Sequence, residues 1–197
     1  MKDQQFPPLS ITLASLVRDG SDREFRRLIY SLARFSELFV RHRNVYGAYI
    51  GVSGPQYVML TIIAGTENET VGQIAKAMSV SNQFVANEIG KLIERDIVEK
   101  TPNTADRRSM ILSLTTKGRD LFRELGPLRR DSNNLMYRSL TGDRGRILQE
   151  ILDKLIADGE IALHELEAPQ RRSQTAPSVS SNHAARGLVK RATRRRS

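Results

Sequence analysis

Thr70-Val71-Gly72-Gln73-Ile74-Ala75-Lys76-Ala77-Met78-Ser79-Val80-Ser81-Asn82-Gln83-Phe84-Val85-Ala86-Asn87-Glu88-Ile89-Gly90-Lys91-Leu92-Ile93-Glu94 is the stretch on which the fold turns. Thr70 followed three residues later by Gln73 has the form of a capping box, so a helix is predicted over 71–78, with Ile74, Ala75 and Met78 on its inner side. Ser79 and Val80 leave room for only a short connection. Ser81 then caps a second helix in which Val85, Ile89, Leu92 and Ile93 recur at three and four residues as an inward stripe. Two short helices joined by so tight a turn predict a helix-turn-helix, with the helix from Ser81 to Glu94 as the one that enters a major groove.

The flanks extend this plan. Upstream, Ser53-Gly54-Pro55-Gln56 reads as another capped helix start, with Pro55 in the first turn and the helix reaching about residue 64. Before it, Phe25, Leu28, Ile29, Leu32, Phe35 and Phe39 set out a first long helix over about 22–46. Downstream, 97–101 is a short β-prone run and 102–107 is turn chemistry. Met110, Leu112 and Leu114 then alternate with Ser109, Ile111 and Ser113, which predicts a strand with one buried face and so a β-hairpin. Thr115 or Thr116 caps a fifth helix to about 137. Thr141 caps a sixth, with Leu148, Ile151, Leu152, Leu155, Ala162, Leu163 and Leu166 in helical register. The predicted class is mainly α with a small β-hairpin wing: a winged helix-turn-helix lobe plus a helical dimerisation region.

The ends read differently. Residues 1–20 form an irregular N-terminal arm, in which 9–17 is expected to be a helix lying on a partner subunit. Residues 169–197 mix Gln, Ser, Thr, Pro, Ala and Arg without hydrophobic period and are expected to be a disordered basic tail. That tail carries +8 of the +9 net charge, leaving 23 basic against 22 acidic groups over 1–168, so a case for DNA must rest on a local patch. Two readings of the tail stand open: an added non-specific DNA contact, or a solvated remnant.

Composition excludes several chemistries. With 197 residues and 39% hydrophobic content the chain holds one domain with tails, and its longest nearly apolar run, 57–64, is far below the roughly 20 residues of a membrane span. Lys2 and Asp3 ahead of Pro7 and Pro8 do not resemble a secretory leader, so a cytoplasmic location is expected and no membrane partner. The absence of cysteine removes disulfides, thiolate catalysis, thiol redox sensing and cysteine-ligated zinc. His42, His164 and His183 are too dispersed for a local ligand cluster, and neither metal nor cofactor is expected. No phosphate loop and no catalytic grouping stands out, 47–54 being a helix-ending linker, so the chain is not read as an enzyme.

The outward face of the Ser81 helix is rich in amides. Gln83, Asn87, Gly90 and Lys91 lie opposite the apolar stripe, with Asn82 and Ala86 near the helix start. Asn and Gln pair with adenine edges, a small apolar residue such as Ala86 meets a thymine methyl, and Lys91 suits a phosphate. Phe84, pointing partly outward, and Glu88 and Glu94, adding negative charge, are unfavourable beside a polyanion. Lys100, Arg107, Arg108, Lys117 and Arg119 leave 100–119 at +4 after Asp106 is subtracted. Arginines at a narrow hairpin tip, here Arg107 and Arg108, suit minor-groove insertion. The competing reading is a winged-helix protein-docking module without DNA binding, whose mark would be an apolar outward face on this helix.

Taken together, Ser53-Gly54-Pro55-Gln56-Tyr57-Val58-Met59-Leu60, Val71-Gly72-Gln73-Ile74-Ala75, Leu92-Ile93-Glu94-Arg95, the wing Asp106-Arg107-Arg108-Ser109 and Leu112-Ser113-Leu114-Thr115-Thr116-Lys117-Gly118 resemble the MarR family of bacterial transcriptional regulators, over roughly 23–166. The resemblance implies a homodimer built from helices 22–46, 116–137 and 142–166, with a DNA-binding lobe at 53–115. It also implies a pseudo-palindromic double-stranded operator, and repression relieved by a small-molecule effector. It places groove and phosphate contacts at Ser81, Asn82, Gln83, Ala86 and Asn87, and wing contacts at Arg107 and Arg108. Ala86 and Asn87 depart from the hydroxyl residue and the Arg common there, and Asp96 stands where a Gly commonly ends the recognition helix.

For the effector, Phe39, His42, Arg43 and Tyr46 share the second half of the first helix and Tyr57 begins the next. Aromatics beside a cation suit an aromatic carboxylate or its thioester. The competing reading assigns these aromatics to a dimer core. Without cysteine, release is expected to be driven by ligand and not by thiol oxidation.

Overall fold

Local capping chemistry sets most of the element boundaries. The computed structural model describes residues 6–66, 69–103 and 109–175, with side chains described as far as Ala168. The wing-tip residues Arg107 and Arg108 and the tail from 176 onward lie outside the described residues. Helix α1 spans Arg23–Tyr49, α2 Gly54–Gly65, α3 Val71–Met78 and α4 Asn82–Glu94. Strands β1 (Val98–Pro102) and β2 (Met110–Leu114) follow, then α5 (Thr116–Met136) and α6 (Arg144–Thr175). Both predicted capping boxes are present, Ser53 with Gln56 and Thr70 with Gln73. Ser81 Oγ accepts from Phe84 N at 3.2 Å, and Thr115 Oγ1 from Gly118 N at 3.0 Å, which decides between the two threonines.

The turns that close α3 and α4 are tight. Ser79 and Asp96 both take the left-handed conformation, with φ of 53° and 56°. At α4, Asp96 N donates to Ile93 O and Ile97 N to Leu92 O, each at 2.9 Å, so a Schellman turn forms with Asp where Gly is commoner. Lys117 Nζ and Thr115 Oγ1, both at 2.7 Å, take up the carbonyls of Arg95 and Asp96. These bonds weld the end of α4 to the start of α5.

The chain divides into two units, Met1–Tyr137 and Arg138–Ser197. In the first, β1 and β2 are antiparallel with Lys100 opposite Leu112, and Leu112 N also donates to Glu69 O at 2.8 Å, adding a one-residue third rung. The core joins Met59, Leu60 and Ile63 of α2, Ile74 of α3, Val85, Ile89 and Leu92 of α4, Ile97 and Val98, and Leu112, Leu114 and Leu125. Gly118 sits against the wing so closely that a Cβ there would lie 2.3 Å from Ile97 O. The second unit is described by α6, which has no fully buried side chain among its described residues. Its Ile147, Ile151, Leu155 and Leu163 are all exposed. The division falls inside the span that the sequence reading treats as one domain.

Several expectations are corrected. The segment 9–17 forms only a three-residue 3-10 turn, Ala14–Leu16, and not a helix. The arm is instead tied to α1 through Asp22, whose carboxylate is buried and accepts from Ser10 N (2.7 Å), Ser10 Oγ (2.5 Å) and Arg26 Nη2 (2.6 Å). Arg26 also donates to Pro8 O at 3.2 Å. Met110, expected on the buried face of its strand, is exposed at the strand end, while Leu112 and Leu114 are buried. Thr141 does not cap α6: Gly142, with φ of 57°, turns the chain first, and the helix starts at Arg144. Helix α6 also runs on to Thr175, past Pro169, where the sequence reading begins the tail.

The Asp22 strap carries a pH prediction. Hydrogen bonds from Arg26, then from Ser10, hold its carboxyl well below the usual carboxylate range. A depressed value means that the strap is at full strength above the ordinary Asp pKa of about 4 and weakens as pH falls below it towards the folded value. The Ser10 amide proton resonance is therefore expected to hold its position from pH 7 to about 4 and to move only below that. A midpoint above the ordinary value contradicts the strap.

Candidate nucleic-acid interface and neighbouring cavity

Helix α4 divides cleanly by face. Val85, Ile89 and Leu92 are fully buried against the core, whereas Ser81, Asn82, Gln83, Asn87 and Lys91 are exposed and Ala86 and Gly90 half-buried. Gln83 Nε2 donates to Asn87 Oδ1 at 2.8 Å, one turn apart. The bond leaves the Gln83 carbonyl as an acceptor and the Asn87 NH2 as a donor, so the pair presents both kinds of group to solvent. Phe84 is exposed, as its position on the wheel suggests.

Glu88 is not the bare charge that the sequence suggests. It is half-buried, accepts from Gln56 Nε2 at 2.9 Å and pairs with Lys91 Nζ. Gln56 thus performs two tasks. Its carbonyl closes the α2 capping box on Ser53 N at 3.0 Å, and its amide nitrogen anchors α4. Lys91, read from sequence as a phosphate contact, is engaged by Glu88 here, though its side chain remains 58% exposed. Lys100 is exposed on β1.

Beside this lobe lies a cavity of about 560 Å³. The five residues singled out from α1 and α2, namely Phe39, His42, Arg43, Tyr46 and Tyr57, all line it. Their rings form a chain: His42 to Tyr46 at 6.3 Å, Tyr46 to Tyr57 at 5.6 Å, and Tyr57 stacked on Phe122 of α5 at 6.3 Å. His42 Nδ1 lies 2.8 Å from Leu38 O, which makes Nδ1 the donor and leaves Nε2 free to accept in the neutral ring. Arg43 Nε is buried without a hydrogen-bond partner.

The sequence reading missed the α5 wall. Arg129, Asn133, Met136 and Tyr137 also line the cavity. Asn133 Oδ1 accepts from Tyr46 Oη at 3.2 Å, Arg129 lies 5.7 Å over the Phe122 ring, and burial pushes the Tyr137 phenol above its ordinary pKa. Their spacing of four, three and one along α5 and its C-cap, Tyr137, was the available signal, masked because Arg and Asn look like solvent-facing residues. Among the described residues no group of three or more His, Asp or Glu comes together to hold a metal ion. No helix among them is long and apolar enough to cross a membrane.

The sequence profile of the MarR family matches residues 52–110, from the start of α2 into β2. The HTH-type transcriptional repressor NicR of Pseudomonas putida is 30% identical over 108 residues, which cover 54% of this chain and 68% of that protein. The chain belongs to the MarR family. The multiple antibiotic resistance protein MarR of Escherichia coli is 25% identical over 114 residues, 57% of this chain and 79% of its own length. Among solved structures, a MarR family regulator from Silicibacter pomeroyi has a TM-score of 0.61 at 21% identity, covering 71% of this chain and 95% of that one. A MarR/EmrR family regulator from Acinetobacter sp. ADP1 has a TM-score of 0.58 at 18% identity, covering 71% and 96%. At these identities the structural likeness bears on the fold, which is the MarR winged helix. As a MarR family member the chain is a DNA-binding transcriptional regulator.

Proposed function

We propose that this MarR protein is a homodimeric repressor that reads a pseudo-palindromic operator and releases it when an aromatic acid or its thioester enters the cavity lined by Arg43. The observation that carries the DNA reading is the exposed Gln83–Asn87 pair on a helix whose opposite side is fixed in the core. The amides are held in a defined geometry, and Asn and Gln suit adenine edges in the major groove. Asn82 and Ala86 flank this pair as further groove contacts. Ser81 stands at the positive end of α4, where backbone N–H groups favour a phosphate, and Lys91 reaches a phosphate by leaving Glu88. Arg107 and Arg108 are assigned to the minor groove on sequence alone.

Dimerisation is supported by apolar surface that one chain leaves uncovered. Leu28, Ile29, Leu32, Phe35 and Phe39 of α1 are each between 39% and 49% exposed, and α6 carries a second such stripe. Surface of this extent ordinarily meets a partner. For the effector, the support is the unpartnered buried Arg43 Nε together with Arg129 in an aromatic cavity of ligand size. The chain has no thiol, so oxidation of cysteine is not a route to release.

Genomic fragments selected on the purified protein test the reading. They are expected to share an inverted repeat whose half-sites lie about 10–10.5 base pairs apart centre to centre, protected by two copies. A monomer in solution, or equal retention of random duplex at physiological salt, refutes it.

A further inference from the structure

A second cavity, of about 620 Å³, is lined by the end of α2, the wing strands and the start of α5, including Phe122. Its floor is apolar: Ile63, Leu112 and Leu114 are core residues, and Phe122 packs against that core. Two guanidinium groups, Arg119 and Arg123, also line it. Arg119 is held in place by Leu114 O and by Thr116 Oγ1 (3.3 Å), which leaves donors over. Arg123 pairs with the exposed Asp120 on its own helix. Thr101 and Ser113 supply hydroxyls, the latter donating to Glu99 Oε1 at 3.2 Å. Among the described residues the lining contains no carboxylate.

From this combination we infer a second ligand site, distinct from the Arg43 cavity, for an amphipathic organic anion with a flat aromatic body and a single carboxylate. An apolar floor with a few fixed polar groups at one end is the usual construction of a small-molecule pocket, and its size is in the usual range. A guanidinium matches a carboxylate in shape and charge. The aromatic body lies on Phe122 and Ile63, and the carboxylate meets Arg123, which exchanges its exposed Asp120 for the ligand. Thr101 and Ile111 are directly opposed across the hairpin and both line the cavity, so an occupant touches both wing strands at once. Such a ligand bridges the wing to α2 and α5, and its binding is thermodynamically linked to that of any DNA the wing contacts. The site does not depend on the effector reading given above.

Isoleucine δ-methyl spectra of the full-length protein, titrated with naphthoate as probe, test the site. Ile63 and Ile111 report this cavity and Ile62 reports the Arg43 cavity. Saturable shifts are expected at Ile63 and Ile111. Ala64→Trp, which fills this cavity from the exposed last turn of α2, abolishes them and leaves any Ile62 shift intact; Ala77→Trp, in the other cavity, does the reverse. Arg123→Glu is expected to raise the Kd read at Ile63 by roughly tenfold or more, through loss of a charge-assisted contact, with the spectrum of the free protein otherwise unchanged. The proposal is overturned if Ile63 and Ile111 show no saturable shift, if their shifts survive Ala64→Trp, or if Ala77→Trp removes both sets. A response confined to Ile62 would leave the Arg43 cavity as the ligand site and remove this one.

Discussion

Replacing Asn87 by Ala is expected to weaken binding to the protein's own operator by about 1–3 kcal/mol, a factor of roughly 5 to 150, while leaving binding to random duplex almost unchanged. The expectation rests on where the residue sits. Asn87 is exposed at the middle of α4, held by Gln83 at 2.8 Å and free to donate its amide protons into a groove. Gln83→Ala removes the brace as well as a reading group, so the two substitutions are expected to be non-additive, the double variant losing less than the sum. Lys91→Ala provides the contrast. A phosphate contact is insensitive to sequence, so its loss weakens operator and random duplex alike and lowers the slope of log affinity against log salt by about one. Competition binding at several salt concentrations distinguishes these patterns. Equal losses on both duplexes for Asn87→Ala would remove it from base reading.

The second large effect concerns stability. Leu92→Ala is expected to lower the unfolding free energy by about 2–5 kcal/mol, measured by urea titration of the purified protein. Leu92 is fully buried in the core, and its carbonyl accepts the Ile97 N–H that closes the turn after α4. The substitution leaves a void in the core that Leu92 shares with Ile89 and Val98 while the backbone bond survives, so the loss is one of packing. A loss below 1 kcal/mol would mean that the end of α4 relaxes into the space.

Much of the fold was legible because its boundaries are fixed by local chemistry. Ser53 with Gln56, Thr70 with Gln73, and Ser81 satisfy helix N–H groups within three residues, and that is visible in any reading of the chain. The inward stripe of α4 is equally local. What escaped depends on distant partners. Residues 9–17 have helical composition, yet Asp22 claims Ser10 twelve positions away and the helix does not form. The third rung of the wing is a single bridge from Glu69 to Leu112, too short to leave a pattern. Glu88 looked a bare charge because Gln56, whose amide donates to it, is thirty-two residues off, although Lys91, its ion-pair partner, stands only three residues on. The cavity was half legible: α1 and α2 place five of its residues by helical spacing, whereas Arg129, Asn133 and Tyr137 join only once α5 has packed.

Gln56 and its neighbour Tyr57 look in different directions: one side chain grips Glu88 and the other closes the aromatic wall of the Arg43 cavity. On the proposed effector reading, a molecule against Tyr57 bears on the same helical turn whose Gln56 holds Glu88 of α4. The first turn of α2 is thus joined to α4 on one side, through the Gln56–Glu88 bond, and to the cavity wall on the other, through Tyr57. On the proposed effector reading, shortening the grip with Gln56→Asn, or removing its donor with Gln56→Glu, which sets a second carboxylate against Glu88, is expected to change how far operator affinity falls per bound effector in competition binding, without changing how tightly the empty protein holds the effector.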